Sequence, residues 1–352
     1  MRPKKQITID LSSYLSDGTY NLYIKTRGAN VRESAASNTV SCTVAPAITA
    51  ISCTVSGLGS SSPSSVVFTK DADFTKAGLG IEDVTLNGNV FVKIPKLYRK
   101  VNSVSDGQIT SFTIATAKVD NDYYPYPCFV DENGNELDYI LIGKYFNKNS
   151  SGMNSVASGS SVTQTLATAR PYAQALGTGY QLYDWMMMRL WQDLIICIME
   201  TVDTNNGSGL QTDALGISWE TVGFWVDGVI KGTTEKWWIC DKPTSYISLS
   251  STSDEIPTNY VETDYSAPTS TGVNIVKLGY DSSKPFANFV AAASGSIYTQ
   301  YYCDGYYYAS GSRPFYSRVG SSVADYGAFY SFVYRDWSTS ARVRLCYRPL
   351  SA

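Results

Sequence analysis

Glycine interrupts this chain of 352 residues 27 times, and serine and threonine crowd the stretches between. Glycine is costly inside helices and takes turn conformations freely. With only 17% charged residues, this composition points to loops and short strands more than to helices. Two stretches escape the rule. Residues 163–176 include QTLATARPYAQA and stop at Gly177, and residues 184–200 (DWMMMRLWQDLIICIME) open on Asp184, well placed in a first turn. In the second stretch Met187, Leu190, Trp191, Leu194 and Ile198 share a face, and Arg189, Gln192, Asp193 and Glu200 lie toward the other side. Such a stripe reads as core packing; a Met- and Trp-lined ligand pocket is the alternative. The expected fold class is α+β.

Along residues 6–43 the strands are short. Ile7, Ile9 and Leu11 alternate with polar residues, Asp17-Gly18 marks a turn, Tyr20–Ile24 has period two, and residues 37–44 (SNTVSCTV) form another strand. The pieces DGTYNLYIKTRG and SNTVSCTV resemble the last strands of a fibronectin type III or immunoglobulin-like module, although about 40 residues are too few for a whole sandwich. Residues 1–44 are therefore read as a partial β segment of that kind, with an extension of the main domain as the alternative. Residues 45–66, with Pro46, Pro63 and the run GLGSSS, read as a linker. Residues 67–352 read as one large domain. Within it, Pro95 demotes the strand Phe91–Tyr98 to an edge or a bulge. Cys128–Val130 and Tyr139–Ile142 flank Glu132–Asn135 as a hairpin. The carboxylate and amides of Asp131, Asn133 and Asn135 match the start of a calcium loop, but its sixth position is Glu136 and its twelfth Ile142, so a turn is the reading. Trp219, Trp225, Trp237 and Trp238 read as core and loop anchors.

Much chemistry is excluded. There is no histidine, so Ser-His-Asp triads, Cys-His pairs and His-ligated metals cannot be built. The seven cysteines (42, 53, 128, 197, 240, 303 and 346) are odd in number and contain no CxxC, which argues for buried thiols over disulfides or zinc. A net charge of −3 without a Lys/Arg cluster gives no footprint for nucleic acid. No apolar run reaches the roughly 18 residues of a membrane span, and no signal peptide follows the basic Met1–Lys5. No catalytic residue, metal site or cofactor is expected.

The unusual region is residues 304–347, DGYYYASGSRPFYSRVGSSVADYGAFYSFVYRDWSTSARVRLCY. Tyr and Ser dominate it, as in an antibody paratope, where Tyr gives broad contacts at low entropy cost and Ser and Gly adapt. A Tyr-rich sheet with half-buried rings is the competing reading. Lys, Glu, Gln and Met make up 39 of the 352 residues, so 44 residues would carry about five; this region carries none. Depletion of Lys and Glu is a mark of interface cores.

The pieces NVFVKIPKLYRKV, FVDENGNELDYILIGKY, ARPYAQALGTGYQLYDW, GFWVDGV and GSSVADYGAFYS…ARVRLCY, in this order over about residues 67–350, resemble the variable proteins of diversity-generating retroelements. That family shares a C-type-lectin-like fold related to formylglycine-generating enzymes. The first pieces are also similar to tail proteins of phages of gut bacteria. The resemblance implies that adenine-directed copying diversifies codons that yield Tyr, Ser, Asp, Phe, Ala, Gly and Arg but not Lys, Glu, Gln, Met or Trp. Trp337 departs from that pattern, and the spacing around Gly320 and Gly327 is shorter than the family's. It further implies a ligand-binding surface at Tyr306, Tyr308, Ser312, Tyr316, Ser317, Ser321, Ser322, Ala324, Asp325, Tyr326, Tyr330, Phe332, Tyr334, Arg335, Asp336 and Trp337. Arg344, Leu345 and Tyr347 are assigned to the closing strand. Alternation along 329–335 leaves Phe329, Ser331 and Val333 as competitors for the outward face. The implied function is host attachment at a phage tail tip through a protein or glycan receptor, with other tail proteins as neighbours and a homo-oligomer, a trimer for example. A bacterial surface-displayed or secreted binder is the alternative, and an enzyme of the formylglycine-generating type the third.

Overall fold

The computed structural model describes residues 18–22, 40–44, 49–203, 214–218, 224–231, 236–240, 260–269, 273–287, 289–294, 301–302, 305–306, 315–319 and 340–349. The chain divides into two compact units, Met1–Thr49 and Ala50–Ala352. In the first, β1 (Gly18–Leu22) and β2 (Val40–Val44) form an antiparallel ribbon, with Gly18 opposite Val44 and Leu22 opposite Val40. β2 falls within the expected run 37–44, whereas β1 begins at Gly18, expected as part of a turn, and overlaps the expected run Tyr20–Ile24 only as far as Leu22. Ile7, Ile9 and Leu11 lie outside the described residues.

The second unit begins inside the expected linker, and that reading is corrected. Ser52–Ser56 is a strand, β3, that pairs on one side with β4 (Val67–Lys70) and on the other with β8 (Gln108–Ala115). Cys53, Val55, Leu58 and Val66 are buried in the core. The Gly/Ser run is the turn region between β3 and β4: Gly57 and Gly59 have φ of 81° and 75°, which glycine takes without steric cost. The sheet continues through β7 (Tyr98–Ser105) to β9 (Tyr124–Pro125), in the order β4-β3-β8-β7-β9.

A second sheet runs β12-β21-β10-β6-β5 and collects β5 (Glu82–Leu86), β6 (Asn89–Pro95), β10 (Tyr139–Phe146), β12 (Tyr180–Leu182) and β21 (Arg344–Tyr347). Here β6 is an interior strand, not an edge. Pairing with β5 ends at Glu82 opposite Lys93, so Pro95, the last residue of β6, needs no N–H toward that neighbour. The expected hairpin is also changed. Pro127–Phe129 is a 3₁₀ turn with Cys128 and Phe129 buried, and only Val130 bridges across, to Glu136. Asp131 Oδ1 accepts from the Asn133 and Asn135 amides, so this carboxylate caps the turn.

The remaining strands are β11 (Thr163–Gln164), β13 (Phe224–Lys231), β14 (Lys236–Cys240), β15 (Tyr260–Ser266), β16 (Val273–Leu278), β17 (Val290–Ser294), β18 (Gly305–Tyr306), β19 (Phe315–Val319) and β20 (Ala341–Arg342). They make one sheet of order β11-β20-β13-β14-β15, with β19 added to β13, and another of order β17-β16-β18. Among the described residues the unit is mostly sheet with two α-helices, an α+β architecture, and no helix is long and apolar enough to cross a membrane.

Both expected helices form, the second over nearly its whole stretch and the first only from Leu166, since Thr163–Gln164 is strand β11. Thr165 caps α1 (Leu166–Gln174) by accepting from the Thr168 amide. Asp184 caps α2 (Trp185–Met199) through the Met187 amide, each cap satisfying an orphan donor. Every residue of α2 from Trp185 to Cys197 is buried, including Arg189, Gln192 and Asp193, which the sequence placed away from the core. Asp193 meets Arg99 Nε of β7 at 3.2 Å, accepts from the Tyr126 hydroxyl at 2.9 Å and pairs with Arg189. The polar side of the helix therefore packs on partners instead of water. Trp191, Trp225 and Trp237 are fully buried, each contributing at least the roughly 1.5–3 kcal/mol of a large apolar side chain. Trp238 is partly buried, and Trp219 lies outside the described residues.

Candidate ligand-binding surface

Strand β13 organises the C-terminal region. All its described side chains, Phe224–Ile230, are buried, and it pairs along both edges. On one edge β19 runs antiparallel from Phe315 opposite Lys231 to Val319 opposite Phe224. On the other, β14 pairs with Val229–Lys231, and β20 places Arg342 opposite Phe224. The chain therefore leaves β13 at Val319 and rejoins it at Arg342, and both attachments are to Phe224. β20 is fastened a second time to β11, with Thr163 opposite Arg342 and Gln164 opposite Ala341.

Phe224 is held in turn. Its ring lies 5.3 Å from Phe146 and edge-on to Tyr183 at 5.6 Å. The Arg344 guanidinium stacks 4.1 Å from the Phe146 centroid and donates to the Gly143 carbonyl at 2.5 Å and the Ser218 carbonyl at 2.7 Å. Gly143 is required here: a Cβ would sit 2.3 Å from the Leu345 carbonyl oxygen. Farther along β13, Asp227 forms a buried ion pair with Arg170 of α1 and accepts from the Gly228 amide. The Trp225 indole donates to the Gln164 carbonyl at 3.1 Å. Asp184 bridges to Asp227 and pairs with Arg348 at 2.5 Å. Burial raises the Asp184 carboxyl above its ordinary range, against the pull of Arg348 and the Met187 amide. Burial also pushes the Cys346 thiol up to about 12. Cys53, Cys128, Cys197 and Cys346 are buried and free, and Cys240 is buried as well.

Arg344, Leu345 and Tyr347 do form the closing strand expected of them, between β12 and β10. Of the expected contact residues, Tyr306 lies in β18, and Tyr316 and Ser317 lie in β19, with Tyr316 opposite Ile230. Tyr308, Ser312, Ser321, Ser322, Ala324, Asp325, Tyr326, Tyr330, Phe332, Tyr334, Arg335, Asp336 and Trp337 lie outside the described residues, as do Phe329, Ser331 and Val333.

Two recesses elsewhere carry no mark in the sequence. One, of about 320 Å³, is lined by Trp185, Met186, Ile239, Val261, Phe286 and Ala287. The start of α2 thus does border a cavity, although Met187, Leu190, Trp191 and Leu194 are core. The other, of about 190 Å³, gathers Arg99, Val101, Asp122, Tyr124, Tyr280 and Phe286. The second depends on the register of β7 on β9, which sets Arg99 opposite Tyr124 and which no sequence pattern announces.

Comparison of the sequence with protein-family models finds no match, and comparison with curated proteins finds no significant similarity.

Proposed function

We propose that this protein is a non-catalytic binding protein that presents residues 304–347 as a diversified surface on a C-type-lectin-like scaffold, for attachment of a phage tail tip to host bacteria. The observation that carries the reading is the composition of that segment: Tyr, Ser, Gly, Asp and Arg, with no Lys, Glu, Gln or Met. The two attachments of its strands to Phe224 support it, since a displayed loop varies freely when its base is fixed. Binding energy then comes from a few aromatic anchors, with Tyr326 and Tyr334 first among them, and specificity from surrounding polar groups. Several copies at a fibre tip would raise weak contacts to firm attachment.

The test is a binding screen of fluorescently labelled full-length protein against a panel of gut bacteria. Cells that bind the protein should fail to bind a variant whose residues 320–339 are replaced by a scrambled sequence of the same composition, with β19 and β20 left intact and the melting temperature unchanged. Undiminished binding by the scrambled variant overturns the reading.

A further inference from the structure

We propose that the recess between β7, β9 and residues 280–286, whose lining includes none of residues 304–347, takes a single pyranose ring of a glycan, independently of the reading given to the C-terminal segment. Arg99 and Tyr124 face each other across the β7–β9 pair, so their side chains project from one face, and Val101, two residues on, shares it. Pro285 and Phe286 close the opposite side.

Arg99 is only 2% exposed, yet its fork is not filled by protein. Nη1 donates to the Pro285 carbonyl at 3.1 Å. Nε lies 3.2 Å from Asp193 Oδ2 but does not point its hydrogen at any acceptor, and that oxygen already accepts from Tyr126. No described acceptor meets Nη2. Phe112 and Phe286 hold the guanidinium from two sides, at 4.8 and 5.7 Å, so its position is fixed before any ligand arrives.

The lining decides the ligand class. Arg99 can only donate hydrogen bonds and the ionised Asp122 can only accept them. Asp122 is tied to Lys100 at 3.3 Å and largely exposed, which leaves lone pairs free. Tyr124, Tyr280 and Phe286 add aromatic surface. A hydrocarbon would cover Nη2 without giving it an acceptor, which is costly. A simple anion would be opposed by Asp122. A sugar ring has hydroxyls that both donate and accept, and an apolar C–H face for an aromatic ring. At about 190 Å³ the recess holds one such ring and is too small for a larger ligand.

The test is saturation-transfer NMR on the full chain with glucose, galactose, mannose and N-acetylglucosamine, each at about 10 mM, a range suited to weak single-ring binding. At least one sugar should show transfer to its ring C–H protons. The signal should fall about fivefold or more in Tyr124→Ala and in Asp122→Asn, both at exposed side chains, with unchanged melting temperatures. The inference is overturned if no sugar gives a signal. It is also overturned if the signal survives both variants, including the case in which it disappears only when residues 320–339 are scrambled.

Discussion

In residues 89–115, which supply β6, β7 and β8, three lysines stand among Phe91, Tyr98 and Phe112. Each finds a carboxylate in the same unit: Lys93 with Glu82 at 3.1 Å, Lys96 with Glu136 at 3.0 Å and Lys100 with Asp120 at 2.7 Å. Such surface pairs add little stability, but they show a face completed by its own neighbours. Residues 304–347 have aromatic content too, but no Lys and no Glu, and their charged residues are Arg and Asp alone. One segment spends its outward positions on internal partners. The other has the Tyr- and Ser-rich composition that, on the proposed reading, suits contact with many foreign surfaces.

The largest test of this contrast concerns where the scaffold begins. Deleting residues 1–60 removes β3, an interior strand, and should abolish cooperative unfolding, whereas a deletion ending at Thr49 should leave it intact; circular dichroism melts distinguish the two. Next, Asp227→Ala removes the carboxylate facing Arg170 in the core and should cost about 3–5 kcal/mol of stability, measured by urea unfolding. A loss under about 1 kcal/mol would show that β13 is not a rigid base. A smaller effect, on a different observable, is expected within 304–347. Tyr326→Ala or Tyr334→Ala should cost about 2 kcal/mol of cell binding and under about 0.5 kcal/mol of stability. Unfolding of these variants with binding retained in the folded fraction would make the aromatic stretch core. The smallest effect is chemical. With Cys346 pushed up to about 12 by burial, its thiol stays protonated at neutral pH and should resist iodoacetamide in the native protein, reacting only after denaturation. Mass spectrometry of the Cys346 peptide reads this directly.

Features signalled by adjacent residues were legible in the sequence. Asp184 marked the start of α2, the Asp131–Asn135 turn and the strand Arg344–Tyr347 formed as expected, and the apolar stripe of α2 was core. What failed depended on distant partners. The polar side of α2 is buried because Arg99 and Tyr126, far away in sequence, meet Asp193, and helical periodicity cannot tell water from a buried partner. The span 45–66 read as a linker because the short alternation of β3 (SCTVS) is weak beside a Gly/Ser run that turns out to be a turn. Pro95 misled because its effect depends on which neighbour extends that far. The segment proposed to bind was visible as composition alone. The Arg99 recess was not visible, since register is a property of strand pairing.

The double attachment to Phe224 also bears on the lengths the intervening stretch can take. Because both ends meet at one residue, closing the stretch between them depends only logarithmically on how many residues it contains, and doubling it costs about 0.6 kcal/mol. On the proposed reading, insertions and deletions between residues 320 and 340 should therefore cost the scaffold less than about 1 kcal/mol, so that cassettes of different size as well as of different sequence could be carried between the same two attachments.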